Sequence, residues 1–216
     1  MVQAVLWDFG GVITTSPFER FAVYEKERGL PAEIIRRINA TNPDTNAWAL
    51  LERSEINTEQ FDEMFATEAA SLGHQIRGAD VLSLVGGELR PEMVTALKRC
   101  RERLKIGCIT NDMRATPQRL TLNVAQGQAR RAAITEVHKL FHVIIRSSEV
   151  GLRKPDPRIY LMACDALGVQ PDQCVFLDDI GSNLKPARSL GMQTIKVMDP
   201  AVAIAELEKA VGFRLG

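Results

Sequence analysis

In the segment Val175-Phe176-Leu177-Asp178-Asp179-Ile180-Gly181-Ser182-Asn183, two carboxylates directly follow an apolar run. The apolar run predicts a buried strand over Cys174–Leu177. Adjacent carboxylates repel each other unless a cation lies near them, and oxygen donors are the ligands that Mg²⁺ prefers. A helix cap followed by a solvated acid is the alternative without a function. A buried strand rarely ends in two acids for packing reasons alone, so this segment indicates a site.

Strand-like segments alternate with helical patterns on either side of this stretch. The strand-like segments are Val2–Trp7, Leu104–Ile109, His142–Arg146 and Thr194–Val197. The helical patterns are Pro91–Arg101, Pro157–Leu167, Leu184–Leu190 and Ala201–Val211. This alternation predicts an α/β fold, a Rossmann-like parallel sheet with helices on both of its faces.

Residues 17–87 interrupt the alternation, because they contain helical patterns and no convincing strand. The patterns cover Phe18–Arg28, Ala32–Ala40 and Thr58–Leu72. We interpret residues 17–87 as an inserted helical cap that ends at a Gly86-Gly87 hinge, and residues 1–16 and 88–216 as the core. The alternative is that these helices belong to the packing of the core. Trp48 is expected in the interior of the cap or in the wall of a substrate pocket.

A second irregular stretch covers residues 114–139. It is polar and rich in glutamine and arginine. We expect a surface excursion there rather than a functional site.

Polar residues at strand ends deserve a functional test, because ligands of open parallel sheets bind beyond the carboxyl ends of the strands. Asp8 follows the first strand, in Trp7-Asp8-Phe9-Gly10-Gly11-Val12. Its carboxylate suits a nucleophile or a metal ligand, or it merely begins a turn or caps a helix. Thr110 and Asn111 follow a later strand. Their hydroxyl and amide groups can donate to phosphate oxygens, although such a pair is also common in turns.

The loop Gly151–Pro157 contains the remaining candidate, Lys154, just before a rigid Pro-x-Pro sequence. An ammonium fixed at that point could neutralise a phosphoryl group or keep an aspartate ionised. The alternative is an ordinary solvated loop lysine.

Taken in order, strand-Asp, strand-Thr-Asn, Lys-Pro and strand-Asp-Asp resemble the haloacid-dehalogenase superfamily over essentially the full chain. The helical insertion resembles the cap that follows the first strand in one large subgroup of that superfamily. The segment Phe176–Arg188 is similar to the N-terminal phosphatase domain of soluble epoxide hydrolases. The resemblance implies a Mg²⁺-dependent phosphohydrolase that acts on a small phosphomonoester through an aspartyl-phosphate.

The resemblance also implies roles for the residues that handle the phosphoryl group. Asp8 would attack phosphorus, and Lys154 would neutralise the charge on Asp8 and on the phosphoryl group. Thr110 and the nearby backbone, including Gly10 and Gly11, would hold the phosphoryl oxygens, with Asn111 in support.

The metal ligands follow from the same resemblance. Asp179 would bind Mg²⁺ directly, beside the Asp8 carboxylate and the Gly10 carbonyl oxygen. Asp178 would act through outer contacts or a water molecule on the metal.

Gly10 is the one departure from the phosphatase pattern, which usually has an aspartate two residues after the nucleophile. That aspartate protonates the leaving alkoxide, and losing such an acid typically lowers a rate by roughly 10²–10⁴. Two alternatives therefore stay open. One is a non-catalytic phosphate-binding protein of this fold, and the other is a dehalogenase, which needs neither the acid nor Mg²⁺.

The overall charge argues against a polyanionic partner. The 216 residues contain 27 Lys plus Arg and 27 Asp plus Glu, so the formal net charge is zero, and there is no run of basic residues. We therefore expect no nucleic-acid partner. We also expect no membrane partner, because no stretch approaches the roughly 18 apolar residues of a membrane span. The first apolar run, Ala4–Trp7, is broken by Asp8, so no signal peptide is expected.

The four cysteines, Cys100, Cys108, Cys164 and Cys174, form no Cys-x-x-Cys pair. Their spacing predicts neither a zinc site nor a disulfide framework. Free thiols fit a reducing compartment, so a cytoplasmic location is expected.

Overall fold

The computed structural model describes residues 1–113 and 124–216. Five strands form one parallel sheet in the order β3-β2-β1-β4-β5. They are β1 Ala4–Trp7, β2 Lys105–Thr110, β3 Val143–Arg146, β4 Cys174–Asp178 and β5 Gln193–Lys196. All five predicted strands are present, with bounds shifted by one or two residues. The first acid of the Asp178-Asp179 pair is the last residue of β4.

Eleven α-helices lie within the described residues. They are α1 Pro17–Glu27, α2 Ile34–Ala40, α3 Ala47–Glu52, α4 Thr58–Ser71, α5 Gly78–Leu84, α6 Pro91–Arg101, α7 Val124–His138, α8 Ser147–Val150, α9 Pro157–Leu167, α10 Gly181–Ser189 and α11 Pro200–Val211. Two of the predicted helices, α6 and α9, have the predicted bounds. Both begin at a proline, which suits the first turn because its missing N–H leaves no helical hydrogen bond unmade.

The sheet register brings two of the acidic residues to the same level. In the central strand β1, Trp7 is paired with Cys108 of β2 on one side and with Leu177 of β4 on the other. Asp8 and Asp178, one residue further along each strand, therefore emerge side by side at the carboxyl edge of the sheet.

Apolar clusters on both faces of the sheet hold the helices in place. On one face, β1 and β4 contribute Val5, Trp7, Val175 and Leu177 to a cluster with residues of α6 and α11. On the other face, the alternate residues of the same strands pack against α9 and α10. These strands are apolar on both sides, as the sequence indicates, because helices cover both faces.

Helices α1–α5 form the inserted cap, which has a hydrophobic cluster of its own. Trp48 packs edge-on between Phe21 and Phe61, with ring-centroid distances of 6.2 and 5.8 Å. Trp48 thus lies in the interior of the cap, the first of its two expected positions. A separate hydrophobic cluster is expected if these helices form a cap. It is not expected if they belong to the packing of the core. The division of the chain at residues 17 and 87 stays a prediction.

The two chain segments that join cap and core run antiparallel and in contact. Thr15 N donates to Glu88 O at 2.8 Å, and Thr14 pairs with Leu89. A Cβ atom on Gly87 would overlap the Thr15 carbonyl oxygen, so only glycine fits this approach. The predicted Gly86-Gly87 hinge therefore lies against the segment that leads from the core into the cap.

The stretch 114–139 differs from its prediction where it is described. Residues Val124–His138 form the helix α7, although we expected an irregular surface excursion; residues 114–123 lie outside the described part of the chain. The reason is the narrow buried face of this helix. Between residues 128 and 138, only Val137 is buried and only Arg130, Ile134 and His138 are half-buried, so the sequence shows little helical hydrophobic periodicity.

Among the described residues, the helices are all too short or too polar to cross a lipid bilayer.

Candidate active site

The acidic residues and Lys154 meet at the carboxyl edge of the sheet. Asp8 follows β1, Asp178 ends β4, and Lys154 comes from the loop between α8 and α9. Lys154 and Asp178 are only 1% and 0% exposed, and Asp8 is 7% exposed. Charged groups are rarely buried this deeply unless they are paired, so the pairing at this site decides what it can do.

Lys154 forms the centre of the charge pairing. Its Nζ lies 2.8 Å from Asp8 Oδ1 and 2.7 Å from Asp178 Oδ2. The ammonium also lies over the Phe176 ring, 5.5 Å from the centroid. Lys154 is therefore not a solvated loop lysine, and that alternative is wrong.

Asp178 is held by donors on both of its carboxylate oxygens. Oδ1 accepts from Ile180 N at 2.8 Å, and Oδ2 accepts from Lys154 Nζ. Asn183 Nδ2 lies 3.1 Å from each oxygen. This network fixes the side chain of Asp178, so it can orient Lys154 toward Asp8.

Asp179 lies between the turn after β1 and the segment that leads into the cap. Its Oδ2 accepts a hydrogen bond from Ser16 Oγ at 3.2 Å. A Cβ atom on Gly11 would overlap the Asp179 carboxylate, and Gly11 has φ +81°. Gly11 therefore serves two purposes, because glycine alone gives both the left-handed backbone and the space for Asp179.

The site contains more negative charge than Lys154 compensates. Burial, together with the charges of Asp178 and Asp179, raises the pKa of Asp8 to about 8, although Lys154 acts to lower it. Burial and the charge of Asp178 raise the pKa of Asp179 to about 6. One carboxylate oxygen from each of these three acids lies within 4.8 Å of the others. Crowded oxygen donors with excess negative charge fit a divalent cation such as Mg²⁺.

Asn111 binds both the amide and the carbonyl oxygen of Lys154. Asn111 Nδ2 donates to Lys154 O at 3.0 Å, and Lys154 N donates to Asn111 Oδ1 at 2.8 Å. The residue expected to support the phosphoryl oxygens is thus engaged with the loop that carries the ammonium. Thr110, at the end of β2, is buried at the same edge of the sheet.

Gly10 lies in open space beside these groups. A Cβ atom built on Gly10 meets nothing within 4 Å, and its φ lies outside the left-handed region. Neither steric contact nor backbone geometry therefore requires glycine at this position.

Three residues of the site neighbourhood were missed by the sequence reasoning: Ser16, Asn183 and Glu52. Asn183 is the third residue of α10 and belongs to the segment quoted first, but nothing in the sequence indicated that its amide binds a carboxylate. Ser16 reads as an N-cap of α1, and its side chain does accept from Phe18 N at 3.5 Å. Glu52 lies in a stretch for which no helix was predicted, and it is buried. Only tertiary packing reveals these roles.

A sequence profile of the haloacid dehalogenase-like hydrolases matches residues 2–191 of the chain. The chain belongs to this family. The match covers the acids and Lys154 described above, and it confirms the resemblance inferred from the motifs. Membership supports a hydrolase.

Several curated relatives resemble parts or all of the chain. Mouse acyl-CoA dehydrogenase family member 10 is 32% identical over 219 residues, which is 99% of this chain but 19% of that protein. Pig bifunctional epoxide hydrolase 2 is 46% identical over 91 residues, 42% of this chain and 16% of that protein. The chain thus spans less than a fifth of the length of these two relatives. A Mycobacterium tuberculosis phosphatase is 29% identical over 206 residues, 91% of this chain and 87% of that protein.

Solved structures share the fold at low sequence identity. A HAD family enzyme from Bacteroides thetaiotaomicron, solved with magnesium and inorganic phosphate, is 18% identical, with TM-score 0.54 over 91% of this chain and 94% of that one. L-2-haloacid dehalogenase from Xanthobacter autotrophicus is 16% identical, with TM-score 0.59 over 100% of this chain and 85% of that one. Both similarities concern the fold: a parallel sheet with helices on both faces and a helical cap.

Proposed function

We propose that this protein hydrolyses a small phosphomonoester, with Asp8 as the nucleophile and Mg²⁺ as the cofactor. The observation that carries the proposal is the buried Lys154 ammonium, which lies within 2.8 Å of both Asp8 and Asp178 beside a third acid, Asp179. Phosphoryl transfer chiefly needs positioning and charge stabilisation. A fixed cation next to a buried carboxylate supplies both.

The first chemical step belongs to Asp8. One of its carboxylate oxygens forms a bond to phosphorus while the bond from phosphorus to the leaving oxygen breaks, which gives an aspartyl-phosphate. Lys154 lowers the pKa of Asp8, which favours the ionised form, and opposes the negative charge on the transferring group. Thr110 and the backbone of Gly10 and Gly11 are the proposed donors to the phosphoryl oxygens. Water then cleaves the aspartyl-phosphate and releases phosphate.

Asp8, Asp179 and the Gly10 carbonyl oxygen are the proposed holders of Mg²⁺. When bound, the cation would offset the repulsion between the acids and the phosphoryl oxygens. Asp178 is assigned an outer role, since Lys154, Asn183 and the Ile180 amide already bind its oxygens. Its task is to hold Lys154.

Phosphatase relatives support the substrate class. The Mycobacterium tuberculosis phosphatase and a Thermotoga maritima phosphatase of phosphorylated carbohydrates align with 91% and 90% of this chain. A panel of phosphorylated metabolites, assayed with and without Mg²⁺, is the direct search for the substrate.

The buried cysteines, all of them free, agree with the cytoplasmic location, which stays a prediction.

Asp8→Asn tests the proposal. The substitution keeps the size of the side chain but removes the nucleophilic charge, so phosphate release should fall to the background rate. The melting temperature should not fall by more than a few degrees, because a neutral group replaces a buried acid. Turnover by purified Asp8→Asn protein at the wild-type rate would exclude the mechanism.

A non-catalytic phosphate-binding protein is the second candidate, and Gly10 is the observation that favours it. Such a protein would bind orthovanadate, a phosphoryl analogue, yet release no phosphate from any member of the panel. A dehalogenase would release halide from a 2-haloacid without Mg²⁺. The three functions therefore differ in product and in metal requirement.

A further inference from the structure

An ion pair between a buried glutamate and a half-buried arginine joins the cap to the loop that carries Lys154. Glu52 ends α3 in the cap, and its side chain is 7% exposed. Its Oε2 accepts from Arg153 Nε at 2.7 Å, and its Oε1 accepts from Trp48 Nε1 at 2.9 Å. Each carboxylate oxygen thus has a different donor, one from the cap and one from the core.

Arg153 has a second contact with the cap. Its Nη1 donates to Pro43 O at 2.9 Å, so the guanidinium binds two points of the cap at once. Nearby, Ser54 Oγ donates to Ser148 O of α8 at 3.0 Å. These contacts seat α3 on the segment of the core that leads into the Lys154 loop.

The loop is therefore anchored at two successive residues. Arg153 is held by Glu52 from the cap, while the main chain of Lys154 is held by Asn111 from the core. The Lys154 ammonium must lie within hydrogen-bond distance of two carboxylates that are themselves fixed by β1 and β4. A displacement of this loop beyond what the flexible lysine stem can follow would break both ion pairs.

We propose that Arg153 and Glu52 are positioning residues, through which the cap sets the place of the Lys154 ammonium. This inference rests on the proposed function only for its effect on rate. Its structural part, the coupling of the cap to the Lys154 main chain, is independent of any activity.

Glu52→Gln and Arg153→Lys test the coupling. A glutamine offers one carbonyl oxygen for two donors, so either Arg153 or Trp48 loses its partner. A lysine keeps the charge of Arg153 but cannot reach both Glu52 and Pro43 O with one ammonium. In both variants, we expect hydrogen exchange at the Lys154 amide to rise by about fivefold or more. We also expect kcat/KM for p-nitrophenyl phosphate to fall by about tenfold.

The location of the change in hydrogen exchange separates positioning from general damage to the structure. The pair holds the Lys154 loop and not the sheet, so the amide of Ile109 in β2 should keep its wild-type exchange rate in both variants. Arg53→Gln is the matched control. Arg53 is the next residue in the chain, and its bonds to Glu55 and Asp44 O lie within the cap, so neither readout should change.

The inference is wrong if a folded Glu52→Gln or Arg153→Lys protein exchanges its Lys154 amide at the wild-type rate. It is also wrong if Arg53→Gln produces the same increase. Should one variant fail to fold, the other decides. A wild-type protein that releases no phosphate would overturn the proposed function instead, and the exchange measurement would still decide the coupling.

Discussion

Lys154 donates to Asp178 Oδ2 at 2.7 Å, and both side chains are almost completely excluded from solvent. Asp178 is in turn fixed by Asn183 and by the amide of Ile180. Lys154 also contacts Asp8. Because Asp178 already fixes the position of the ammonium, it also fixes the geometry of this contact with Asp8. The pairing with Lys154 explains why Asp178 is buried. A role as a helix cap would not explain it.

Lys154→Met should reduce catalysis by much more than tenfold. The methionine keeps most of the apolar stem but removes the charge beside Asp8, and an electrostatic contact of this kind typically contributes about 3 kcal/mol to the transition state. The variant should also be less stable, because removing one partner of a buried ion pair typically costs about 3–5 kcal/mol. Steady-state kinetics and thermal melts measure the two effects.

Lys98→Met is the control for Lys154→Met, since Lys98 is exposed on α6. It should leave both rate and melting temperature unchanged. A loss in kcat/KM below about tenfold for Lys154→Met, roughly 1.4 kcal/mol, would remove Lys154 from the proposed mechanism.

Asp179→Asn and Asp178→Asn should have opposite profiles. Asp179 is the proposed direct Mg²⁺ ligand, so its substitution should raise the half-saturating Mg²⁺ concentration by about tenfold or more. Asp178 holds Lys154, so its substitution should chiefly lower kcat and the melting temperature. Mg²⁺ titrations of activity, with melts of both proteins, distinguish them. Equal Mg²⁺ requirements in the two variants and the wild type would contradict the assignment of Asp179.

The fold could be predicted because its signals are local. Apolar runs such as Ala4–Trp7 are buried on both faces, and prolines at Pro91 and Pro157 mark helix starts. α3 was missed because it has only six residues, too few to show a periodic pattern. The helix α7 was missed because its buried face is narrow.

The candidate site could be predicted in part, because its main residues directly follow strands of a parallel sheet. The carboxyl ends of such strands share one edge, so Asp8 and Asp178 had to be neighbours. The contacts of Ser16 with Asp179 and of Glu52 with Arg153 link residues 163 and 101 positions apart. No spacing rule connects them, since the first contact depends on the packing of the core and the second on how the cap lies against the core.

The apparent affinity for Mg²⁺ should increase from pH 6 to pH 8. The raised pKa values of Asp8 and Asp179, about 8 and about 6, mean that protons compete with the cation in this range. Calorimetric titration of Mg²⁺ at several pH values measures the effect, including the protons released. In Asp8→Asn the increase should be smaller between pH 7 and pH 8, where only Asp8 is expected to titrate. A Mg²⁺ affinity that does not vary with pH would contradict this prediction.

The same shifts predict how the metal-free protein responds to pH. The folded state holds more protons on Asp8 and Asp179 than the unfolded state, in which these groups titrate near 3.8. Their contribution to stability is therefore complete below about pH 4 and declines as the pH rises toward 8. Mg²⁺ should raise the melting temperature more at pH 8 than at pH 6, and thermal melts with and without the metal check this difference.

Gly10 should make turnover depend on the leaving group. Without an acid at this position, a poor leaving group departs slowly, so p-nitrophenyl phosphate should be hydrolysed faster than an alkyl phosphate of similar size. Gly10→Asp should reduce this ratio, chiefly by raising the alkyl rate. The open space at Gly10 and its ordinary φ mean that an aspartate can be accommodated without backbone strain. Gly10→Asn, of the same size but without the acid, is the control, and a melt of each variant confirms its folding. If folded Gly10→Asp keeps the wild-type ratio, leaving-group protonation does not limit this protein.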